Sequence, residues 1–447
     1  MSFRRYPAYK DSGVKWLGEM PEHWAVKRLR FVVELNPSKS EISSLDRLTP
    51  ISFLPMDAIG DDGSLRIDEE KQIGEVETGY TYFRDGDVTI AKITPCYENG
   101  KGAIMRGLIN GIGFGTTELI VTRPNPSETI PAYLHYLFVS PDFRGIGESH
   151  MYGAGGQKRV PDEFVKNFKT AMPPLPEQNR IAAFLDRETA KIDELAAEQQ
   201  RLIDLLKEKR QAVISHAVTK GLNPVAPMKP SGIEWLGDVP AHWEVKRLKY
   251  LGSAITGLTY DPANIVNEGE GTLVLRSSNV QNGKITYDDN VYVSTAIPEE
   301  LVTRRGDILI CSRNGSRVLI GKNALIDGEA IGVTYGAFMT VLRSVHCDYL
   351  HCVLNSPVFE FQSSAFMTST INQLTIGILN NMEIPWPPEF ERRVIGLHVR
   401  EWTLRLDTLT TEAQRAIDLL QERRTALISA AVTGQIDVRH LAEATAA

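Results

Sequence analysis

Two long stretches of the chain carry core-type positions that step by four and three in alternation. In the first they are Ile181, Leu185, Glu188, Ile192, Leu195, Gln199, Leu202, Leu206, Lys209 and Val213. In the second they are Ile395, Val399, Trp402, Leu406, Leu409, Ala413, Ala416, Leu420, Arg423 and Leu427. Mostly apolar and sustained over several turns, this spacing is a heptad seam and predicts two long amphipathic helices. Proline launches each, in Met172-Pro173-Pro174-Leu175-Pro176-Glu177 and Ile384-Pro385-Trp386-Pro387-Pro388-Glu389, and glycine stops each, at Gly221 and Gly434. Either helix alone could bury its seam on its own lobe. Two matched seams favour helix on helix, an intramolecular coiled coil of about 36 residues and roughly 55 Å. Because the chain returns through a second lobe, the helices are expected to run antiparallel, with one lobe near each end.

Outside the helices the pattern changes to short β-type runs cut by Gly, Asn and Asp. They are 51–54, 81–83, 87–93, 102–105 and 117–122 in the first lobe, and 272–275, 291–293, 307–311, 324–326 and 337–342 in the second. Such runs predict compact, mostly antiparallel β bodies carrying a few helices. The lobes share landmarks. Gly13-Val14-Lys15-Trp16-Leu17-Gly18 with Pro21-Glu22-His23-Trp24-Ala25-Val26-Lys27-Arg28-Leu29 returns as Gly232-Ile233-Glu234-Trp235-Leu236-Gly237 with Pro240-Ala241-His242-Trp243-Glu244-Val245-Lys246-Arg247-Leu248. Arg84-Asp85-Gly86-Asp87-Val88 matches Arg304-Arg305-Gly306-Asp307-Ile308, and Tyr133-Leu134-His135 matches Tyr349-Leu350-His351. The chain is therefore a tandem duplication of two copies. Trp16, Trp24, Trp235 and Trp243 read as packing anchors for the start of each lobe.

The expected fold class is α+β: two similar mostly-β domains separated by two long antiparallel coiled-coil helices, with an internal pseudo-two-fold repeat. The boundaries are 1–175 for the first domain, 176–222 for the first helix, 223–231 for a stiff Pro-rich linker, 232–387 for the second domain, 388–436 for the second helix and 437–447 for a tail.

Composition narrows the function. With 447 residues, 42% hydrophobic and 23% charged, the chain is ordinary for a globular protein. No apolar run reaches a membrane span and no signal-peptide core follows Met1, so a cytoplasmic location is expected. Four cysteines suggest no disulfide framework. A net charge of −7 argues against a uniformly basic surface but leaves room for a local basic groove. No catalytic constellation emerges. Gly111-Ile112-Gly113-Phe114-Gly115 and Gly153-Ala154-Gly155-Gly156 read as turn glycines. The stretch from Gly315 to Lys322 has five residues between its glycines where a phosphate loop needs four, and Asn323 where Ser or Thr should stand. His346-Cys347 and His351-Cys352 read as one face of a helix, since the matching Tyr133-Leu134-His135-Tyr136 has no cysteine. No Asn-Pro-Pro-Tyr tetrapeptide and no carboxylate-and-lysine nuclease set is present.

What the loops do offer is polar and basic residues suited to a duplex. In the first lobe these are Lys92, Tyr97, Asn99, Lys101, Gln157, Lys158 and Arg159. In the second they are Arg276, Ser277, Ser278, Asn279, Arg313, Asn314, Ser316, Arg317, Asn372 and Gln373. Arg and Lys pair with guanine, Asn and Gln with adenine, and Lys and Ser hold phosphate. Lys92 and Arg313 rank first, because both follow the strand after the shared Gly-Asp. For any single one of them, a solvated loop side chain is the competing reading.

Duplicated Gly-x-x-Trp-Leu-Gly-x-x-Pro-x-His-Trp, a variable lobe, a Pro-rich step with Glu177-Gln178 and a long helix, all repeated, resembles the specificity subunit of type I restriction-modification enzymes. In the second copy Glu389-Phe390-Glu391 replaces Glu-Gln. The resemblance implies two target-recognition domains, each reading half of an asymmetric bipartite site, with the helices as a ruler between them. Half-sites about one helical turn apart, about 34 Å, suit lobes that lean inward on such a rod. It also implies double-stranded DNA, two methylation subunits and two restriction motor-nuclease subunits as partners. S-adenosylmethionine, ATP and magnesium would belong to those partners, with no cofactor in this chain. Two other readings compete: a self-sufficient DNA methyltransferase or nuclease, and a coiled-coil scaffold whose lobes bind proteins. Neither accounts for duplication with diverged loops.

Overall fold

The computed structural model of the chain describes residues 3–366 and 373–441. They form two compact units, the first of Met1–Gln199 with Arg415–Ala447 and the second of Gln200–Gln414. Each unit holds one β body and part of both long helices, Leu175–Lys220 and Glu389–Val432. At ~1.5 Å per residue these helices are roughly 70 and 65 Å long, beyond the roughly 55 Å expected. The extra turns are buried at both ends of the seam, around Gln178 and around Ala217 and Val218 in the first helix.

Burial also corrects the seam. Leu185, Ile192 and Leu206 face inward as expected, but Leu195 and Leu202 are 47% and 42% exposed. Thr189, Ala196, Ile203 and Arg210 take the alternate positions, each one residue later than expected. In the second helix Leu409 and Arg423 likewise face solvent, and Thr410 and Arg424 turn inward. The cause is that the inward positions are partly polar. Arg424 bonds Asp193 at 3.0 Å within the first unit, and Arg210 bonds Asp407 at 2.7 Å within the second. Choosing the more apolar neighbour at each step selects the wrong residue there.

Within the first unit Ile181, Phe184, Leu185 and Ile192 share a core with Leu427, Ile428, Ala431 and Val432. Within the second, Ile214, Ala217 and Val218 share one with Ile395 and Val399. In each unit the start of one helix therefore packs beside the end of the other.

The β body of the first unit has two four-stranded sheets. One has the spatial order Glu70–Gln72, Pro50–Leu54, Ile112–Gly115, Thr81–Arg84, and the other Val33–Leu35, Leu119–Pro124, Val88–Ala91, Gly102–Ile104. The second unit repeats the latter as Ser253–Thr256, Met339–Arg343, Ile308–Cys311, Asn323–Leu325. Its other sheet is Ile265–Val266, Tyr292–Val293, Thr272–Leu275, Thr334–Tyr335. Among the described residues, strand pairing is antiparallel apart from one parallel pair in each unit, Ile112–Gly115 on Pro50–Leu54 and Thr272–Leu275 on Thr334–Tyr335, the latter joined by a parallel bridge between Leu258 and Gly336. Gly111 is a turn glycine as expected, with φ 69°. Gly113 and Gly115 instead lie in a strand, where a Cβ would sit 2.2 Å from the Phe83 ring or 2.6 Å from the Leu54 carbonyl. Close packing, rather than a turn, fixes those two.

The shared landmarks turn out to be structural. At the Gly-Asp turn, the Arg84 and Arg304 amides each donate to the next-but-two aspartate at 2.9 Å. Arg123 then grips Asp87 through two hydrogen bonds of 2.7 and 2.9 Å, and Arg343 grips Asp307 at 2.9 and 2.7 Å. Both aspartates are buried. Trp24 and Trp243 are also buried, with indole N–H groups donating to Glu177 at 3.2 Å and Glu391 at 2.8 Å. His23 and His242 bond the same two carboxylates. Glu391 thus stands where Glu177 stands, and the second copy keeps its glutamate: Pro387-Pro388 aligns with Pro173-Pro174, and Arg392 replaces Gln178. Trp16 stacks on Phe168 and Trp235 on Phe361, with centroids 5.1 and 5.3 Å apart. The expected linker over 223–231 ends in a strand, Met228–Pro230, which pairs with Asp238–Pro240 as Tyr9–Asp11 pairs with Glu19–Pro21. Proline is tolerated there because these are two-stranded edges.

Candidate nucleic-acid interface

In each unit the strand that follows the Gly-Asp turn crosses the core and emerges at one edge of its sheet. In the first unit the Lys92 amide donates to Glu118 O at 2.8 Å, and Lys92 O accepts from the Val160 amide at 2.8 Å. Ile93 bridges Arg159, and the Thr94 amide donates to Lys158 O at 2.9 Å. The glycine-rich segment 152–160 is thereby laid beside the strand end. In the second unit the Ser312 and Arg313 amides donate to Phe338 O at 3.0 Å, and the Leu374 amide donates to Ser312 O at 2.8 Å. Arg313 bridges Gln373. The register therefore equates Lys92 with Ser312, Ile93 with Arg313, Glu118 with Phe338 and Arg159 with Gln373. Lys92 and Arg313, ranked first on the same ground, stand one residue apart in this register and so on opposite faces of the strand.

The edge of the second unit presents a planar cation. Arg313 is exposed, and its guanidinium lies over the exposed Phe338 ring, 5.3 Å from the centroid. Asn314 donates to the Ser277 hydroxyl at 3.1 Å and caps the Ser316 amide at 3.0 Å, which fixes the loop beyond. Ser316 and Arg317 are exposed on that loop. A guanidinium held on an aromatic face keeps its forked edge free for a bidentate acceptor, the geometry that reads guanine. Phe338 went unnoticed in the sequence; only the register opposite Arg313 singles it out.

The edge of the first unit is built differently. Arg159 closes on Glu118 through two hydrogen bonds of 2.9 and 2.7 Å, and so is spoken for. Glu118 is held below its ordinary carboxylate range, chiefly by Arg159 and in part by Lys92. Asn99, Gln157 and Lys158 are the exposed polar groups, with Lys92 half-buried.

Several candidates serve the fold instead. Tyr97 is buried, its hydroxyl donates to Phe143 O at 3.0 Å, and burial pushes it far above its ordinary value. Asn279 is buried as the cap of its own turn, accepting from the Arg276 amide at 2.9 Å and donating to Thr286 O at 3.0 Å. Both are therefore removed from the contact set. Lys101 donates to Met56 O at 3.1 Å, and Arg276 pairs with Asp289 at 2.7 Å, so each is partly engaged. Ser277 and Ser278 are half-buried within the Arg276 turn. Asn372 lies outside the described residues. Cys352 is a buried helical thiol bonded to Asp348 O at 3.1 Å, and burial raises it to about 12.

Residues 21–204 match the family model of the type I restriction modification DNA specificity domain. That match takes in about two fifths of the chain. It is 43% identical over 188 residues to the EcoEI specificity subunit of Escherichia coli and 46% identical over 189 residues to the EcoAI specificity subunit. These matches take in 42% of this chain and 31% of each relative, so the chain spans under a third of their length. At 25% identity, likeness to the putative MjaX specificity subunit of Methanocaldococcus jannaschii covers 96% of this chain and 98% of that one. Among solved structures, a chain from work on complex assembly and conformational transition of the type I restriction-modification system has a TM-score of 0.73. It shares 21% identity, covering 92% of this chain and 98% of its own. The HsdS subunit of Thermoanaerobacter tengcongensis has a TM-score of 0.53 at 21% identity, covering 93% and 98%. These two likenesses establish a shared fold. Among the described residues, no helix is long and apolar enough to cross a membrane.

Proposed function

We propose that this chain selects the DNA site of a type I restriction-modification complex. Each β body reads one half of an asymmetric bipartite sequence, and the two long helices, as an antiparallel coiled coil, set the spacing. The recognition domains are 1–175 and 232–387, the spacing elements 176–222 and 388–436. The observation that carries this reading is the pairing of one frame with two edges: matching Asp-Arg turns and Trp-Glu latches support chemically different loops. A protein reading one sequence twice would have no reason to change only those loops.

The chain performs no catalysis. Two methylation subunits would bring S-adenosylmethionine, and two restriction subunits would bring ATP and magnesium for cleavage in the cytoplasm. Exposed leucines on the helices, Leu195, Leu202 and Leu205 on one and Leu397, Leu404 and Leu409 on the other, supply apolar surface for such partners. In the first unit Lys92, Asn99, Gln157 and Lys158 would meet the duplex, with Lys101 behind them. In the second, Arg313, Asn314, Ser316 and Gln373 would do so, with Arg276 and Ser278 behind.

The test is methylation mapping in cells that express the chain with its methylation subunit, beside cells lacking the chain. Modified adenines that depend on it, in a bipartite motif with fixed gap, are expected; methylation independent of it would overturn the proposal. Arg313→Ala should weaken methylation at the cognate site about 10- to 100-fold, the worth of one bidentate base contact, while assembly stays intact.

A further inference from the structure

Both units carry a second surface feature that the reading edges do not explain. After the strand Ala25–Arg28 comes a single turn, Leu29–Phe31, and after Glu244–Arg247 comes Leu248–Tyr250. Leu29 and Leu248 are fully buried and anchor these turns. The aromatic residue two places on points outward instead: Phe31 is 65% exposed and Tyr250 73%. A cation lies beside each ring, Arg30 5.3 Å from the Phe31 centroid and Lys249 5.0 Å from that of Tyr250. Each ring borders a shallow depression, of about 500 Å³ in the first unit and 690 Å³ in the second, whose walls include Lys27 and Arg28 or Lys246 and Arg247. The flanks differ, with Lys169 in the first where Glu383 stands in the second. The shared set is two cations, a buried leucine, a third cation and an outward ring.

Lys27 pairs with Glu128 and Lys246 with Glu244, but the fold asks for neither the outward ring nor the cation beside it, because exposed substitutions there change no core contact. Their repetition therefore points to a ligand met by both units alike, in contrast to the two half-sites. We infer that each patch docks the same protein partner through an acidic face with an apolar centre, one copy per unit. Resting on the function proposed above, that partner is the methylation subunit. Residue chemistry favours protein over phosphate: an exposed aromatic with arginine near it, Arg28 and Arg30 in the first unit and Arg247 in the second, is the make-up of an interface centre, whereas backbone phosphate is met by cations and small hydrogen-bond donors. Position agrees. The strand Leu119–Pro124 has the reading edge at one end, where Glu118 O receives the Lys92 amide, and the patch at the other, where the Asn125 amide donates to Val32 O. Met339–Arg343 separates Phe338 from Leu251 and Tyr250 in the same way, through Ser344 bonded to Leu251 O. At ~3.3 Å per residue each separation is about 20 Å.

The experiment uses the full chain and its methylation subunit. Variants are Arg30→Glu with Phe31→Ser in the first unit, Lys249→Glu with Tyr250→Ser in the second, and all four together. Native mass spectrometry and sedimentation read how many copies bind and how tightly, and the salt dependence of duplex binding is measured alongside. Each two-residue variant should weaken one of two bound copies at least 10-fold, and the fourfold variant should weaken both. Melting temperature and the slope of log affinity against log salt should not move. Retention of two copies at unchanged affinity would overturn the inference, as would a salt slope reduced by about one for each cation removed, which would make the patch a phosphate contact. Adenine methylation independent of the wild-type chain would instead overturn the functional reading and the inference with it. The milder pair Phe31→Ala and Tyr250→Ala guards against misfolding, since it removes only the rings, and should weaken the same copies.

Discussion

The two units keep the same turn and change what stands opposite it. In the first, position 118 is a glutamate that locks Arg159; in the second, the equivalent position is Phe338, which carries Arg313 on its face. Three positions in register, Glu118 for Phe338, Arg159 for Gln373 and Ile93 for Arg313, thus together decide whether the edge carries a guanidinium consumed by the fold or one left for a ligand. Beneath that edge the aspartate, its arginine, the buried tryptophan and its glutamate hold almost the same distances in both units. The reading edges diverge where these contacts do not.

The largest way to break the comparison is at the frame. Asp307→Asn leaves the Arg343 guanidinium facing a neutral amide and backbone carbonyls, Val302 O at 3.0 Å among them. Losing a buried charge partner costs about 3–5 kcal/mol. Asp87→Asn should cost about 1 kcal/mol less, because Arg123 also pairs with Glu41. Melting of the two variants by calorimetry checks this, and equal losses would show that Glu41 contributes nothing.

The glutamate latch should separate the units further. Glu177 accepts from Trp24 and Tyr6 and contacts His23, with its side chain 7% exposed, whereas Glu391 meets Trp243 and His242 and is 37% exposed. Glu177→Ala strands more buried donors and should cost about 3 kcal/mol, against about 1 kcal/mol for Glu391→Ala. Urea denaturation followed by tryptophan fluorescence measures both, and a larger loss for Glu391→Ala would contradict the burial argument.

Most of this frame was legible as repetition, but its meaning was not. Matching residues announce that something is shared; only the distances say that His-Trp and Pro-Pro-x-x-Glu are two halves of one contact. The strands and helices were legible because their periods are strong. The reading loops were not, since Tyr97 and Asn279 are polar in the sequence yet buried in the structure. A hydroxyl or amide can satisfy a backbone group as well as a base, and composition does not distinguish the two uses. Lys92 and Arg313 looked equivalent because sequence shows proximity to the Gly-Asp turn without showing which face of the strand a residue takes.

The histidines of the Tyr-Leu-His landmark give a pH test of both units. Burial, with Arg144 and Arg424 nearby, lowers His135 to about 4, and burial with Arg210 nearby lowers His351 to about 4. Gly63 lies against the His135 ring, while His351 borders a cavity of about 950 Å³ and its Nε2 is buried with no hydrogen-bond partner among the described residues. Both bind a proton more weakly folded than unfolded. Their stabilisation is therefore present above about pH 6.5 and is lost as pH falls towards 4, roughly 2 kcal/mol each by pH 5. His135→Leu and His351→Leu should each flatten the decline of stability between pH 6.5 and 4 by that amount. Water entering the second cavity to hydrate a charged His351 would shrink its share, so unequal flattening measures how wet that cavity becomes.

The smallest expected effect, that of Leu202→Ala, tests the shifted seam. Leu202 is 42% exposed and Ile203 4%, although the heptad pattern in the sequence places Leu202 inside. Ile203→Ala should cost about 2–4 kcal/mol by leaving a cavity, while Leu202→Ala should stay within about 0.5 kcal/mol. Helix propensity cannot produce that difference, since alanine is at least as good a helix former as either residue it replaces. A substantial loss for Leu202→Ala in the isolated chain would place Leu202 in a buried contact and restore the unshifted seam. If stability is untouched but binding of the methylation subunit weakens, the exposed leucines belong to the partner, and the seam is displaced because one face of each helix is kept for it.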